Sequence, residues 1–243
     1  GKARITETIM EGVVELLPAL CTVGGQSLQM FTEFFPMLMK YSGKGKSDHL
    51  RSLVTATLHE SLTSLGPVSA PFVPQILPYI INELTVTTKS DMCNRQNACC
   101  CAAICIKNEA LAGTKSVASY PPILQATLQI LVNGETESVV DNAISCICTM
   151  MTYSRDITQP FDQVLTAVLG RLPLKKDHRE SETVYPTLCA LIQSADPVVM
   201  QFVPQIITIF AQAVAGLQAR LKPNEEIPEW AKQIGALTAT AMD

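Results

Sequence analysis

Charge is scarce in this chain. Asp, Glu, Lys and Arg make up 16% of its 243 residues, and 18 basic against 22 acidic side chains leave a net charge of −4. A duplex-binding domain is ordinarily basic, so no nucleic acid partner is expected. The mild acidity leans towards basic partners. Aromatics are few, at 5%, with a single Trp. Sustained strand alternation is missing; Thr85-Val86-Thr87-Thr88 is strand-prone but reads as a connector between helices. The chain opens on Gly1 and not on Met, so a cut or engineered start is expected, with room for targeting signals upstream of it.

The nine cysteines do not supply a disulfide framework. Their number is odd and three are consecutive, Cys99-Cys100-Cys101. Free thiols packed as small hydrophobes in a reducing compartment fit better. On a helix these three point about 100° apart and cannot converge on one ion. Cys101 and Cys105 share a face, but a structural zinc wants four ligands. No metal and no cofactor are therefore expected.

The longest uncharged run, Pro197 to Ala219, is long enough to raise the question of a membrane span. Gln201, Gln205, Thr208 and Gln212 form a polar stripe along it at helical spacing, so it reads as an amphipathic helix, with no membrane insertion.

What is abundant is helical periodicity, at 47% apolar residues. Helices are predicted over Thr6–Thr22, with Ile9, Val13, Leu16, Leu17 and Leu20 on one side and a stop at Gly24-Gly25, and over Ser27–Tyr41. Asp48–Leu65 follows, capped by Ser47 and ended by Gly66-Pro67, then a helix opening at Ala70 to Pro74 and running to Leu84. Further helices span Met92–Ala110, capped by Asp91 and closed by Gly113, then Tyr120 to about Asn133-Gly134, and Thr136–Tyr153. Asp162–Leu172 is stopped by Pro173, and Ser181–Gln193 ends at Ala195-Asp196-Pro197. The last helix is Ile227–Met242, with Trp230, Ile234, Leu237 and Ala241 on one face.

The second helix of each pair opens on an aromatic, then Pro or Gln, then aliphatics. Pro36, Pro74, Pro122, Gln163 and Pro204 stand 38, 48, 41 and 41 residues apart. Asn97-Ala98 and Asn142-Ala143 echo one another in the first helices. Two-helix repeats of roughly 40–47 residues are the signature of HEAT and armadillo arrays. The expected fold is all-α: one domain over 1–243, an α-solenoid of about five HEAT-like helix pairs (roughly 1–43, 47–86, 91–134, 136–173 and 178–221). A C-terminal helix at 226–242 caps it through Trp230, Ile234 and Leu237. An all-α globule of ordinary amphipathic helices is the alternative.

The region from Ser138 to about Val199 resembles the C-terminal part of importin-β karyopherins, of the importin four and importin five types. The residues that carry the likeness are Leu172-Pro173-Leu174, Lys176-Asp177, Glu180 with Glu182, Val184-Tyr185 through Leu191-Ile192, and Val140-Asp141-Asn142-Ala143-Ile144. The first hundred or so residues match only in repeat architecture; the cysteine triplet and the Lys44–Lys46 loop are not expected of the family. The resemblance implies a nuclear transport receptor, shuttling between cytoplasm and nucleus. Its partners would be protein cargo with basic signals, Phe-Gly repeats of nucleoporins, and Ran-GTP in the full-length receptor, though not through this piece. A HEAT scaffold subunit of a non-transport complex is the other binding class.

Signals for catalysis are weak. Gly45-Lys46-Ser47 hints at a P-loop, but Lys40 stands where its first Gly belongs and no strand precedes it. Gly25-Gln26-Ser27-Leu28-Gln29 misses the nucleophile elbow at its fifth position. His49 and His59 are ten apart, off the metal-pair spacing, and His178 among Asp177, Glu180 and Glu182 reads as a solvated connector. No enzyme is expected. In a HEAT superhelix the second helices line the concave side, where Asn82, Glu83, Gln125, Gln129, Gln163, Gln205 and Gln212 are candidate contacts for a basic extended peptide. Asn97, Asp141 and Asn142 are expected to form a polar ladder between repeats. Phe-Gly pockets, if present, would be apolar grooves between adjacent first helices.

Overall fold

The computed structural model describes residues 2–23, 27–43, 45–86, 92–133 and 135–240, the side chains of 2–4, 6, 92, 93 and 240 excepted. The stop at Gly24-Gly25, the elbow residues Gly25-Gln26, Lys44, the connector Thr87-Thr88, the Asp91 cap, Gly134 and the end at Met242 lie outside the described residues. Among those described every regular element is helical, and the fold is all-α.

The chain divides into two compact units, Gly1–Thr127 and Leu128–Asp243. The first holds α1 (Lys2–Thr22), α2 (Ser27–Tyr41), α3 (Asp48–Leu65), α4 (Val73–Thr85), α5 (Met92–Leu111) and the start of α6 (Tyr120–Val132). The second holds the end of α6, then α7 (Glu137–Tyr153), α8 (Phe161–Leu169), α9 (Ser181–Gln193), α10 (Pro197–Met200), α11 (Val203–Gln218) and α12 (Glu229–Thr240).

In the first unit α3 packs between α1 and α5, α2 lies against α1 and α3, and α4 lies against α5. Local signals define α3. The Ser47 Oγ accepts the Leu50 N–H at 3.3 Å, and Gly66, at φ 62°, ends the helix where a side chain would be strained. Leu50, Val54, Leu58, Leu62 and Leu65 recur at helical spacing and are all buried. Between α2 and the turn leading into α4, Phe72 meets Phe31 and Phe35 edge-on, with centroids 5.0 and 4.9 Å away. Each such aromatic contact adds about 0.5–1.5 kcal/mol beyond its buried area.

In the second unit α9 packs between α7 and α12, while α11 lies against α8 and α9. All of Val139–Met151 on α7 is buried. A helix covered on every side needs small side chains and no free polar groups. Accordingly Cys146 and Cys148 fill it as small hydrophobes, and the Thr149 hydroxyl donates back to the Ser145 carbonyl at 3.0 Å. Burial pushes the Cys148 thiol up to about 12. Stacked helix pairs of this kind, each covering its neighbour's apolar side, are the HEAT-type α-solenoid arrangement.

Three local expectations need correction. The run Pro197–Ala219 is not one helix but α10, a turn at Gln201-Phe202, and α11. Pro204 has no N–H to continue α10 and instead sits in the first turn of α11. Gln201 is thereby displaced from the polar stripe. Secondly, α8 stops at Leu169, short of Leu172. The Gly170 N–H closes onto the Thr166 carbonyl at 3.0 Å, and the Arg171 Nε turns away to donate to the Leu131 carbonyl at 2.6 Å. Thirdly, α1 does not bury the whole of its expected side. Met10, Leu17 and Cys21 are inside, whereas Ile9 and Leu16 are more than half exposed. No helix among the described residues is long and apolar enough to cross a membrane.

Candidate binding surfaces

The buried polar groups sort the candidate contacts first. Glu83 on α4 is 1% exposed. Its two oxygens both accept from Arg51 Nη1 at 2.7 Å, and Asn94 donates to it as well. The Arg51 Nη2 reaches Asp48 at 2.8 Å. Glu83 is thus a neutralised internal anion that links α3, α4 and α5, not a contact on the second-helix face. The expectation fails because α5 supplies Asn94 directly above it, a neighbour that helical spacing within α4 cannot reveal. Asn82 is half-buried beside it and donates to Glu83 at 3.2 Å.

The five glutamines are different. Gln125, Gln129, Gln163, Gln205 and Gln212 are all exposed, on α6, α8 and α11.

Asn97, Asp141 and Asn142 each reach out of their own helix. Asn97 on α5 donates to Ser52 on α3 at 3.4 Å. The Asp141 carboxylate on α7 accepts three successive backbone N–H groups of the connector before α9: Lys175 at 3.1 Å, Lys176 at 2.6 Å and Asp177 at 2.8 Å. Asn142 donates to the Asp177 carboxylate at 3.1 Å, and Arg179 donates to it at 3.2 Å. Burial works to raise the Asp177 carboxyl, but the Arg179 and Asn142 hydrogen bonds outweigh it and hold it below the usual carboxylate range. Its neighbour Glu180 is pushed up, by burial first and by nearby Asp177 and Asp141 as well. His178 is lowered by burial and by Arg220. The cluster is a folded connector: its acids bind this chain's own backbone and side chains.

Other links between helix pairs carried no signal in the sequence. Asn108 on α5 donates to the Leu62 carbonyl at 2.8 Å and the Ser69 hydroxyl at 2.9 Å. Arg155 stacks on the Phe161 ring at 4.1 Å and pairs with Asp196 at 2.5 Å, while Asp196 also accepts the Val198 N–H to cap α10. Each is a polar residue whose partner lies about one repeat away, so only the stacking brings the pair together.

At α12, Trp230 and Ile234 are buried and Leu237 is half-buried. The Trp230 ring lies 4.8 Å from that of Tyr185 on α9. Between α9 and α12 runs a groove of about 500 Å³, lined by Pro186, Cys189, Ala190, Gln193, Gln233, Ala236 and Leu237. A second, of about 440 Å³, lies between α1 and α3 and is rimmed by Glu15, His59 and Glu60. A smaller apolar groove of about 200 Å³ lies on α1 beside Phe34. Among the described residues no group of three or more His, Cys, Asp or Glu is placed to hold a metal ion.

No family model matches the chain. Individual relatives do. The probable importin subunit beta-4 of Schizosaccharomyces pombe is 26% identical over 226 residues, which are 93% of this chain and 20% of that protein. Importin-4 of Homo sapiens is 27% identical over 88% of this chain and 19% of its own length. Importin-4 of Mus musculus is 26% identical over 75% and 16% respectively. The chain spans about a fifth of the length of these curated relatives. The similarity to these importins runs along most of this chain, on an all-α framework of stacked helix pairs.

Proposed function

We propose that the chain is part of an importin-β type nuclear transport receptor, a non-catalytic module that binds protein cargo and nucleoporin Phe-Gly repeats. The observation that carries the reading is the similarity to importins over 75–93% of the chain. The Asp141 and Asp177 carboxylates at the connector are taken up by internal hydrogen bonds, which favours binding over chemistry. The receptor would work in cytoplasm and nucleus, and Ran-GTP would engage the full-length receptor outside this piece.

For the Phe-Gly repeats the groove between α9 and α12 is the best fit. It is walled by Pro186, Cys189, Ala190, Ala236 and Leu237, with amides of Gln193 and Gln233 at hand. An apolar slot with a few polar groups suits a Phe ring followed by a bare glycine backbone. Retention on immobilised Phe-Gly repeats tests this. The chain is expected to be retained, and Ala190→Arg, which fills the groove from an exposed position, is expected to cut retention about tenfold, equivalent to ~1.4 kcal/mol. A chain that passes through the column unretarded removes the reading and leaves a HEAT scaffold outside transport.

A further inference from the structure

The first helix is oily on two sides. One side, Met10, Leu17 and Cys21, is buried where α1 lies against α2 and α3. The other, Ile5, Ile9, Gly12 and Leu16 at i, i+4, i+7 and i+11, is exposed. The second helix continues it. Met30, Phe34 and Met37 on α2 are half-buried at helical spacing, and Phe34 joins Ile9, Gly12 and Leu16 in lining an apolar groove of about 200 Å³. Other first helices carry no such face. With α1 on one side and α5 on the other, α3 exposes His49, Glu60, Thr63 and Ser64; α12, against α9, exposes Glu229, Lys232 and Gln233 beside small residues. Single exposed aliphatics are ordinary, but a contiguous stripe across two helices marks a surface that another body covers.

Gly12 points the same way on separate grounds. It stands in the middle of α1, and apart from proline glycine is the poorest helix former. A Cβ built on it would meet nothing within 4 Å, so the packing of this unit does not call for a glycine there. At the centre of an apolar stripe, the missing side chain lets a further helix come close.

We propose that this face of α1 and α2 is the stacking interface for a further helix pair of the same, longer polypeptide, with Gly12 as the point of closest approach. Two observations select that occupant. First, α1, α3 and α5 pack in a row, and the stripe lies where the row would continue. Glu7 and Glu11 reach Ser47 and His49 at the start of α3, at 2.8 and 3.4 Å, and by helical spacing they point away from the stripe. Secondly, the importin relatives extend far beyond the part this chain matches, which is about a fifth of them, so a polypeptide of that kind has further helix pairs to offer.

The test compares this chain with the same polypeptide lengthened by the roughly forty residues encoded ahead of Gly1, one repeat period. Hydrogen exchange across α1 is expected to slow about tenfold in the lengthened protein. Gly12→Leu is expected to act with opposite signs in the two. In this chain it improves the helix and should raise the melting temperature by about 2–4 °C. In the lengthened protein it meets the neighbouring helix and should lower it. Leu16→Glu should be near neutral here and destabilising there. Unaltered exchange in α1, or the same sign for Gly12→Leu in both proteins, overturns the proposal. So does a dimer of this chain in light scattering that Leu16→Glu dissociates, which would make a second copy the occupant. Retention on Phe-Gly resin concerns the groove between α9 and α12, in the other unit, so the receptor reading and this one can fail separately.

Discussion

The Asp141 carboxylate on α7 holds the backbone N–H of Lys176 at 2.6 Å and that of Asp177 at 2.8 Å, so one side chain sets the course of the connector into the next helix pair. A carboxylate receiving three N–H groups is the strong, charge-assisted form of the hydrogen bond. It also explains how a carboxylate 1% exposed is tolerated in the middle of a helix core.

Asp141→Ala would strand those N–H groups. The expected loss is about 2–4 kcal/mol, at roughly 1–3 kcal/mol for each donor left unpaired and with partial rescue by water. Asp141→Asn retains one accepting oxygen and should lose less. Thermal melts of both variants, followed by circular dichroism, check the order. Equal melting temperatures for wild type and Asp141→Ala would show that the connector holds itself.

Asp177 and Glu180 should give stability opposite pH dependences. Asp177 is held below the usual carboxylate range, so its contribution is present at neutral pH and fades as pH falls through its folded value. Glu180 is raised, so folding favours its protonated form. Its contribution is present below the ordinary glutamate range and is lost as pH rises through the folded value. Glu180→Gln is therefore expected to raise the melting temperature at about pH 7, with the gain shrinking towards about pH 4. Asp177→Asn is expected to lower it at pH 7, with the deficit shrinking in acid. A melting series across that range decides both, and a Glu180→Gln gain independent of pH would refute the assignment.

Trp230 lies on Tyr185 and is 4% exposed, so Trp230→Ala empties a site between α9 and α12. The expected cost is about 3–5 kcal/mol. Leu237, half-buried along the same helix, should cost less on truncation. Chemical denaturation of the two variants provides the comparison. A neutral Trp230→Ala would mean that α12 adds little to the unit.

Much of the helical plan was legible before any coordinates. Ser47, Gly66 and Gly113 act within a few residues of where they stand, and the helices they delimit, α3 and α5, lie where those signals put them. Pro204 was harder to place. Its spacing marks it as a repeat anchor, yet the uncharged run around it carries the periodicity of one continuous helix. The candidate contacts were less legible still. Glu83 and Gln163 look alike as polar residues on second helices, yet one is sealed beneath Arg51 and Asn94 and the other is in solvent.

By itself the sequence determined the all-α class, the helix ends and the roughly forty-residue recurrence, because caps, prolines and apolar spacing are short-range properties that each segment carries with it. Only the tertiary structure decided that Leu17 is buried and Leu16 is not, that Glu83 is an internal anion, and that Asp141 grips a loop some thirty-five residues onward. Those outcomes depend on how far each helix is rotated against its neighbours. That rotation is settled by contacts between residues distant in the chain, which no local pattern records.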